Sequence, residues 1–320
     1  MSLSARGVAL PLETRPRAAR QRRTRNWRPW VWVLPALALL AVFLVWPVVR
    51  TVWVSFYDGT IINPDREFVG LDNYTELLTA DQFFVRYNLP PWSALFNSAL
   101  WVVLFTSAVV GFGLLIAVLA DRVRYERVAK AIVFLPLVIS ATAASVVFRF
   151  LYAADPEIGL LNAMWTTISP FAPVPWLGRP ELVNFTLIGA AVWIWTGLAM
   201  TILSAAYKAL PQEVLEAARV DGATAWQTFR RVSIPMMKGP IIVVAVTMII
   251  NALKAIDLVL VMTAGGPRGS SRIVGFTVFW EIFNNNKAGK GSAAAVLLLV
   301  LMIPLMWYQL RQIRGERGGA

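Results

Sequence analysis

Six apolar stretches, each long enough to cross a bilayer, constrain this chain more than any other feature. A membrane-spanning helix needs about 20 mostly apolar residues, and segments at roughly 30–53, 95–120, 129–152, 183–207, 240–263 and 292–310 meet that requirement. Lipid satisfies no backbone N–H or C=O group, so such segments form helices. The expected fold is all-α, a polytopic membrane protein with six transmembrane helices and, because six is even, both termini on one side. Composition agrees: 58% of the 320 residues are hydrophobic and 15% charged, a balance that a water-soluble surface hardly accommodates.

The placement of Arg and Lys gives the orientation. Residues 1–29 carry eight Arg against one Glu, which predicts a flexible tail too polar to form a core. Lys and Arg together number 20 in that tail, in residues 121–130 and 207–239 and after Leu310, against 7 in the three opposite loops. The positive-inside rule then puts both termini in the cytoplasm. The same asymmetry accounts for a net charge of +12 without nucleic acid, for which no basic-aromatic platform is present. One loop runs against the rule: residues 264–291, expected outside, hold Arg268, Arg272, Lys287 and Lys290 against Glu281. Within it RIVGFTVFWEIFNNN is too short to span and aromatic enough to lie as an interfacial or pore-capping helix at about 272–285. Arg22-Arg23 precedes an apolar run that continues to about Trp53, longer than a cleavable signal core, so an uncleaved first anchor is expected. The layout is a basic cytoplasmic tail at 1–29, a transmembrane domain at 30–310 with its core at 93–310, and a cytoplasmic C-terminal tail at 311–320. No internal repeat of convincing period supports inverted halves.

The absence of Cys and His excludes disulfides, thiolate nucleophiles, Cys or His metal sites and imidazole general bases. Asp58, Asp65, Glu67, Asp72 and Glu76 in the first outer loop match no metal-loop spacing and read as solvated surface. The nearest approach to a phosphate-binding G-x-x-x-x-G-K-[ST] is Gly289-Lys290, which has Asn284 at the first glycine position and Gly291 after the lysine. No metal or cofactor is expected on the chain itself.

The loop LPQEVLEAARVDGATAWQTFRRVSIPMMKGP, residues 210–240, looks ordered. Pro211 suits a first helical position, Gln212 and Glu213 a first turn, and Gly222 the residue past a helix end, which predicts a helix at about 211–220. ATAWQTFRRV starts a second helix, expected to stop at Pro235, and Gly239-Pro240 marks the start of the fifth span. Ala217 and Ala218 permit close approach, and Trp226 and Phe229 are available as anchors. The spacing shows a hairpin and not what it meets: a protein-docking element and a packed loop both fit.

EAARVDGA followed by SIP resembles the EAA signature of inner-membrane permease subunits of binding-protein-dependent ABC importers. The family usually has Leu-Pro where this chain has Ile234-Pro235, a swap that keeps apolar bulk. FVGLDNY at 68–74, FLPLVIS at 134–140, IDLVLVMTAGGP at 256–267 and AGKGSAAAV at 288–296 resemble the carbohydrate permeases related to the maltose and glycerol-phosphate systems, so the likeness covers about 30–310. It implies a non-catalytic permease subunit of the cytoplasmic (inner) membrane that translocates a sugar or oligosaccharide. It also implies two ABC ATPase subunits that bind ATP and magnesium, a second homologous permease and an external solute-binding protein. Glu216, Ala217, Ala218, Asp221 and Gly222 would lie in coupling helices docked on the ATPase. The alternatives are an ion-gradient-driven secondary transporter and a membrane-embedded glycosyl- or lipid-modifying enzyme, and neither accounts for the EAA-like hairpin.

Polar groups within the spans point to a pathway, because an ionised group in hydrocarbon is costly unless paired or hydrated. Asn251, Lys254 and Asp257 in the fifth stretch fall on one helical face, where Lys254 and Asp257 are expected to pair at i, i+3; they either line the sugar path or clamp helices together. Trp193 and Trp195 alternate and so face different sides, as sugar-stacking rings or interfacial anchors. Asn97 and Ser140 read as small polar groups that satisfy helix contacts.

Overall fold

Apolar sequence dictates helices here, but the polar and proline residues inside the apolar stretches decide where those helices break. The computed structural model describes residues 28–60, 67–85, 93–121, 123–168 and 171–317. The basic tail, apart from Arg28 and Pro29, lies outside the described residues, as do Asp65 and the last three positions.

Internal contacts divide the chain at Val48 and Val49. The N-terminal unit is a helix, Arg28–Leu40, that passes through a π-helical segment, Ala41–Val45, into Trp46–Val54. Its side chains from Val31 to Arg50 are exposed, and Val54 at its end is buried. Among the described residues four helices are long and apolar enough to cross a membrane: Val31–Val54, Ala94–Ala120, Val183–Lys208 and Ala288–Arg311. Two bent pairs raise the number to six if each is one span, Glu126–Val138 with Ala141–Leu151 at 99° and Ala225–Met236 with Lys238–Leu253 at 73°.

The third and fifth stretches, expected as continuous helices, are therefore broken. In the third, Pro136 removes an N–H, Ile139 turns extended (φ −76°, ψ 134°), and Ser140 restarts the helix by accepting a hydrogen bond from the Ala143 amide at 3.2 Å. In the fifth, Lys238–Leu253 ends at Lys254, Ala255 leaves helical geometry (ψ 46°), and Ile256–Thr263 begins anew. The exposed end of the first segment is covered by Gly275, where a Cβ would lie 2.8 Å from the Leu253 carbonyl oxygen. The helix expected near 272–285 is Val274–Phe283, packed on the last helix, Ala288–Arg317.

Ala94–Ala120 and Val183–Lys208 form the largest interhelical contact. Small residues set their distance, as is usual where helices associate in lipid without a hydrophobic driving force. A Cβ at Gly113 would stand 2.7 Å from the Ala199 Cβ; on the side of Val183–Lys208 facing Glu126–Val138, one at Gly197 would stand only 2.5 Å from the Val133 carbonyl oxygen. Trp101, Phe105, Leu187, Met200 and Leu203 fill the space around these contacts.

An amide knot closes the N-terminal end of this pair. Asn97 Nδ2 donates to the carbonyls of Ser270 (2.7 Å) and Arg272 (2.8 Å), and Asn184 Nδ2 donates to Asn97 Oδ1 (3.0 Å) and Ser270 O (2.8 Å). Trp101 Nε1 donates to Asn184 Oδ1 at 3.3 Å, and Ser98 Oγ accepts from the Val274 amide at 3.0 Å. Asn97 thus satisfies a helix contact as its type suggested, through Asn184, and also binds a loop 173 to 175 residues away in sequence.

Gly197→Leu is expected to destabilise the protein by about 1–3 kcal/mol through overpacking, because the atom it meets is backbone and cannot rotate aside. A lowered melting temperature in mild detergent checks this; an unchanged one contradicts the close helix approach.

Candidate functional site

The hairpin after Val183–Lys208 is built as its sequence indicates. Pro211 is extended (φ −60°, ψ 123°) and precedes the helix Gln212–Val220, one residue later than expected. Glu213 in the first turn and Arg219 in the last complement the helix dipole. Glu216, Ala217, Asp221 and Gly222 are exposed, Ala218 is half-buried, and Leu215 beneath them is buried. Gly222 has φ +80° with nothing within 4 Å of where a Cβ would be, so conformation and not space calls for glycine. Thr224 and Gln227 close a reciprocal capping box at 3.3 and 2.8 Å, opening the helix Ala225–Thr228.

That helix continues through a π-helical segment, Phe229–Ser233, into Ile234–Met236, so Pro235 does not stop it as expected. Proline opens this last turn, where its missing N–H costs little, and the chain bends instead at Met237 (φ −89°, ψ 9°). Leu215 and Phe229 anchor the hairpin, whereas Trp226 is exposed. A cavity of about 270 Å³ separates the hairpin from Tyr207, with Arg219, Thr228 and Ser233 in its wall. At the root, Lys208 pairs with Asp121 (3.4 Å) and with Glu126, which also pairs with Lys130.

Charged residues gather at the opposite end. Lys290 Nζ lies 2.7 Å from Asp81 Oδ2 and 3.0 Å from Glu76 Oε1, and Lys287 lies 3.6 Å from Glu76. Asp81 also accepts the amides of Phe83 and Phe84 at 2.8 and 3.1 Å. The Arg272 guanidinium lies 4.2 Å from the Phe83 ring centroid and 4.8 Å from that of Trp280. Burial pushes Arg272 below its ordinary pKa, opposed by the charges of Glu281 and Asp81. Glu76, expected as solvated surface, is instead an ion-pair partner whose pKa is lowered chiefly by the hydrogen bond from Lys290. Asn73 of the FVGLDNY stretch donates to the carbonyls of Ser55 and Tyr57, both at 3.0 Å, and Gly289 packs so closely there that a Cβ would fall 1.9 Å from the Tyr57 carbonyl oxygen.

The five pathway candidates are distributed as follows. Trp193 is exposed and meets Phe148 edge-on at 5.3 Å, while Trp195 is half-buried against the core, so the two rings do face different sides. Asn251 Nδ2 donates to the Thr247 carbonyl at 2.9 Å. Lys254 stands in the helix break and Asp257 on the next segment; both are exposed, and the expected ion pair between them is not formed because the break removes the i, i+3 geometry.

Residues 109–317 match the family described as the binding-protein-dependent transport system inner membrane component. The chain belongs to that family. The osmoprotective compounds uptake permease protein GgtC of Synechocystis sp. is 44% identical over 290 residues, covering 89% of this chain and 99% of that protein. The alpha-glucoside transport system permease protein AglF of Rhizobium meliloti is 37% identical over 297 residues, covering 91% and 84%. A bacterial ABC transporter involved in the import of the acidic polysaccharide alginate shares the fold, with a TM-score of 0.73 at 21% identity over 91% of this chain and 96% of that one. The permease is therefore a non-catalytic transmembrane component of the inner membrane, and ATP hydrolysis belongs to separate subunits.

Sequence reasoning on the permease missed Asn184 and Asp81. The small polar residue inside an apolar helix was the available signal for Asn184. Nothing local marks Asp81, whose lysine partner is more than two hundred positions away.

Lys290→Met leaves the Asp81 carboxylate, only 8% exposed, without its counter-ion. The expected cost is about 3–5 kcal/mol, read as thermal destabilisation in detergent and partly recovered by Asp81→Asn. Glu76 adds a pH dependence. Its folded pKa is lowered, so the stability it lends is complete above its ordinary value and is lost as pH falls through the lowered one. The acid limb of the wild-type melting profile should therefore flatten in Glu76→Gln.

Proposed function

We propose that the permease is a six-span subunit of an ATP-driven importer for a sugar, an oligosaccharide or a related polyhydroxylated solute, with both termini and the Gln212–Met236 hairpin in the cytoplasm. The observation that carries this reading is the hairpin: Glu216, Ala217, Asp221 and Gly222 are exposed, with Ala218 half-buried, on a short helix and its turn whose root is fixed by Lys208, Asp121 and Glu126. The names of the two relatives, one for osmoprotective compounds and one for alpha-glucosides, support the substrate class. The family description supports dependence on an external solute-binding protein.

In this reading two ABC ATPase subunits bind ATP and magnesium and receive Glu216, Ala217, Ala218, Asp221 and Gly222 in a surface cleft, and a second homologous permease completes the pore. The transmembrane domain occupies 30–310, flanked by the basic tail and by a short C-terminal tail. Closure of the ATPases moves the hairpin, and through the short connections at Ala209–Pro211 and Met237 it tilts the helices to which the hairpin is joined. Coupling requires only that nucleotide and solute bias the same two-state equilibrium. Trp193 and Trp195 on one helix, and Asn251, Lys254 and Asp257 around the break in the fifth stretch, are assigned to the solute path, where exposed polar groups near a helix break suit a hydrated route.

Purification of the tagged chain from its native membrane should bring down a P-loop ATPase and a second permease. Asp221→Arg lies at an exposed site where folding stability changes by no more than about 0.5 kcal/mol, and Gly222→Pro forbids the positive φ of the turn. Both variants should lose the ATPase and solute-stimulated ATP hydrolysis while keeping the second permease. Solute uptake by the chain alone, driven by an ion gradient, would overturn the reading.

A further inference from the structure

The outer loop after the third stretch contains an apolar surface that the proposed function does not use. From Ile158 to Gly178 the sequence has no charged residue, while Asp155 and Glu157 precede it and Arg179 and Glu181 follow. Proline at 170, 173 and 175 prevents this run from being a further span. It forms a short helix, Leu160–Ile168, instead. Leu160, Met164 and Ile168 recur at four-residue spacing and so lie along one face, with Trp165 at its border. All four are exposed, Ile168 to 80%, and Phe171, 65% exposed, stacks on Trp165 with ring centroids 6.1 Å apart.

The opposite face is fixed. Asn162, fully buried, donates to the carbonyls of Ala153 (2.8 Å) and Val174 (2.9 Å) and accepts the Val174 amide at 2.8 Å. The loop thus folds on its own amide staple and turns its apolar side chains outward. That arrangement is costly in water and needs a cover.

We propose that the cover is the outer leaflet of the bilayer: Ile158, Leu160, Met164, Trp165, Ile168 and Phe171 form an interfacial anchor that rests among headgroups and upper acyl chains. Three observations favour lipid over a protein partner. The helix touches Ala141–Leu151, whose last turns also expose Val147 and Phe150, so the apolar surface continues from a membrane segment. Beside the Trp165 indole the face carries one hydrogen-bonding side chain, Thr167, whose hydroxyl already donates to the Ala163 carbonyl of its own helix at 2.7 Å, whereas a protein interface uses about one hydrogen bond per 100–200 Å². Its composition, Trp and Phe with branched aliphatics, matches the interfacial belt. The exposed charges at Asp155, Glu157, Arg179 and Glu181 then mark the water side. The anchor holds the outer end of the broken third stretch at a fixed depth, against which its 99° bend is set.

The leaflet assigned rests on the orientation proposed above, and the test separates the two. The chain has no Cys, so single cysteines at Glu157, Leu160, Met164 and Ile168 need no background removal. In intact spheroplasts an impermeant thiol reagent should label Glu157→Cys without permeabilisation; labelling only after permeabilisation overturns the orientation and with it the outer leaflet. Spin-labelled full-length protein in phosphatidylethanolamine–phosphatidylglycerol nanodiscs then reports depth. Labels at Leu160, Met164 and Ile168 should lose collisions with a water-soluble nickel chelate and keep those with oxygen, with the order reversed at Glu157. Nickel access at the apolar positions equal to that at Glu157 would mean an open aqueous surface, such as a sugar-stacking platform at Trp165 and Phe171. Loss of both collision partners would mean a protein cover. Either result overturns the anchor.

Discussion

The two buried asparagines at the N-terminal end of the helix pair Ala94–Ala120 and Val183–Lys208 hold the surrounding loop in place. Residues 264–273 are not helical, and buried irregular backbone survives only where protein satisfies its polar groups. Asn97 and Asn184 do this by donating to the carbonyls of Ser270 and Arg272, and Ser98 adds the Val274 amide. Fixing Arg272 in turn places its guanidinium between Phe83 and Trp280. The segment carrying Asp81 and Glu76 is within reach of Lys290. The loop, this segment and the last helix are thus linked through two side-chain amides, each of which would be expensive to bury unpaired.

The bonded N-terminal end of this pair contrasts with its other end, where the hairpin is attached. The hairpin is joined to the membrane helices by a short connection at Ala209–Pro211 and by the bend at Met237, and the helices beyond it are themselves interrupted at Ile139–Ser140 and Lys254–Ala255. Breaks of this kind give a helix two segments that move relative to each other without unfolding, which a two-state transporter needs. The ion pairs of Lys208 with Asp121 and Glu126 tie the root of the hairpin to the start of the broken third stretch. On the proposed reading, a push on the hairpin is therefore delivered to a helix that already contains its own hinge.

Length and apolarity made most of the helical content legible in the sequence, and the special residues of the hairpin made its first helix legible to within one residue. Gly222 suited the residue past a helix end and Glu213 a first turn, each a local rule with a local cause, whereas the Thr224–Gln227 capping box went unread and Pro235 did not stop the second helix. The breaks were less legible because hydropathy sums over a window and does not register a single Ser140 N-cap or the end of a helix at Lys254. The Lys254 and Asp257 pair failed for the same reason, since i, i+3 geometry presumes an unbroken helix. Asn97 with Asn184, and Lys290 with Asp81, could not be read at all from spacing, because nothing in a single chain announces which distant polar residues meet.

The four cations in the 264–291 loop show where a statistical rule and a folded structure answer different questions. The positive-inside rule counts Lys and Arg during insertion and gives acidic residues little weight, so on the proposed orientation later pairing with Glu76 and Asp81 does not explain an outside position for Lys287 and Lys290. Orientation is set early, and the eight Arg of the first 29 residues bias the first helix before the late loop is made. Once that loop is placed, its cations are retained for structural reasons: Lys290 is 8% exposed between two carboxylates, and Arg272 is held between two rings with Glu281 nearby. Only Arg268, exposed at a turn with φ +52°, remains without such a role. The exception to the rule is thus mostly a record of which outer charges the fold consumes.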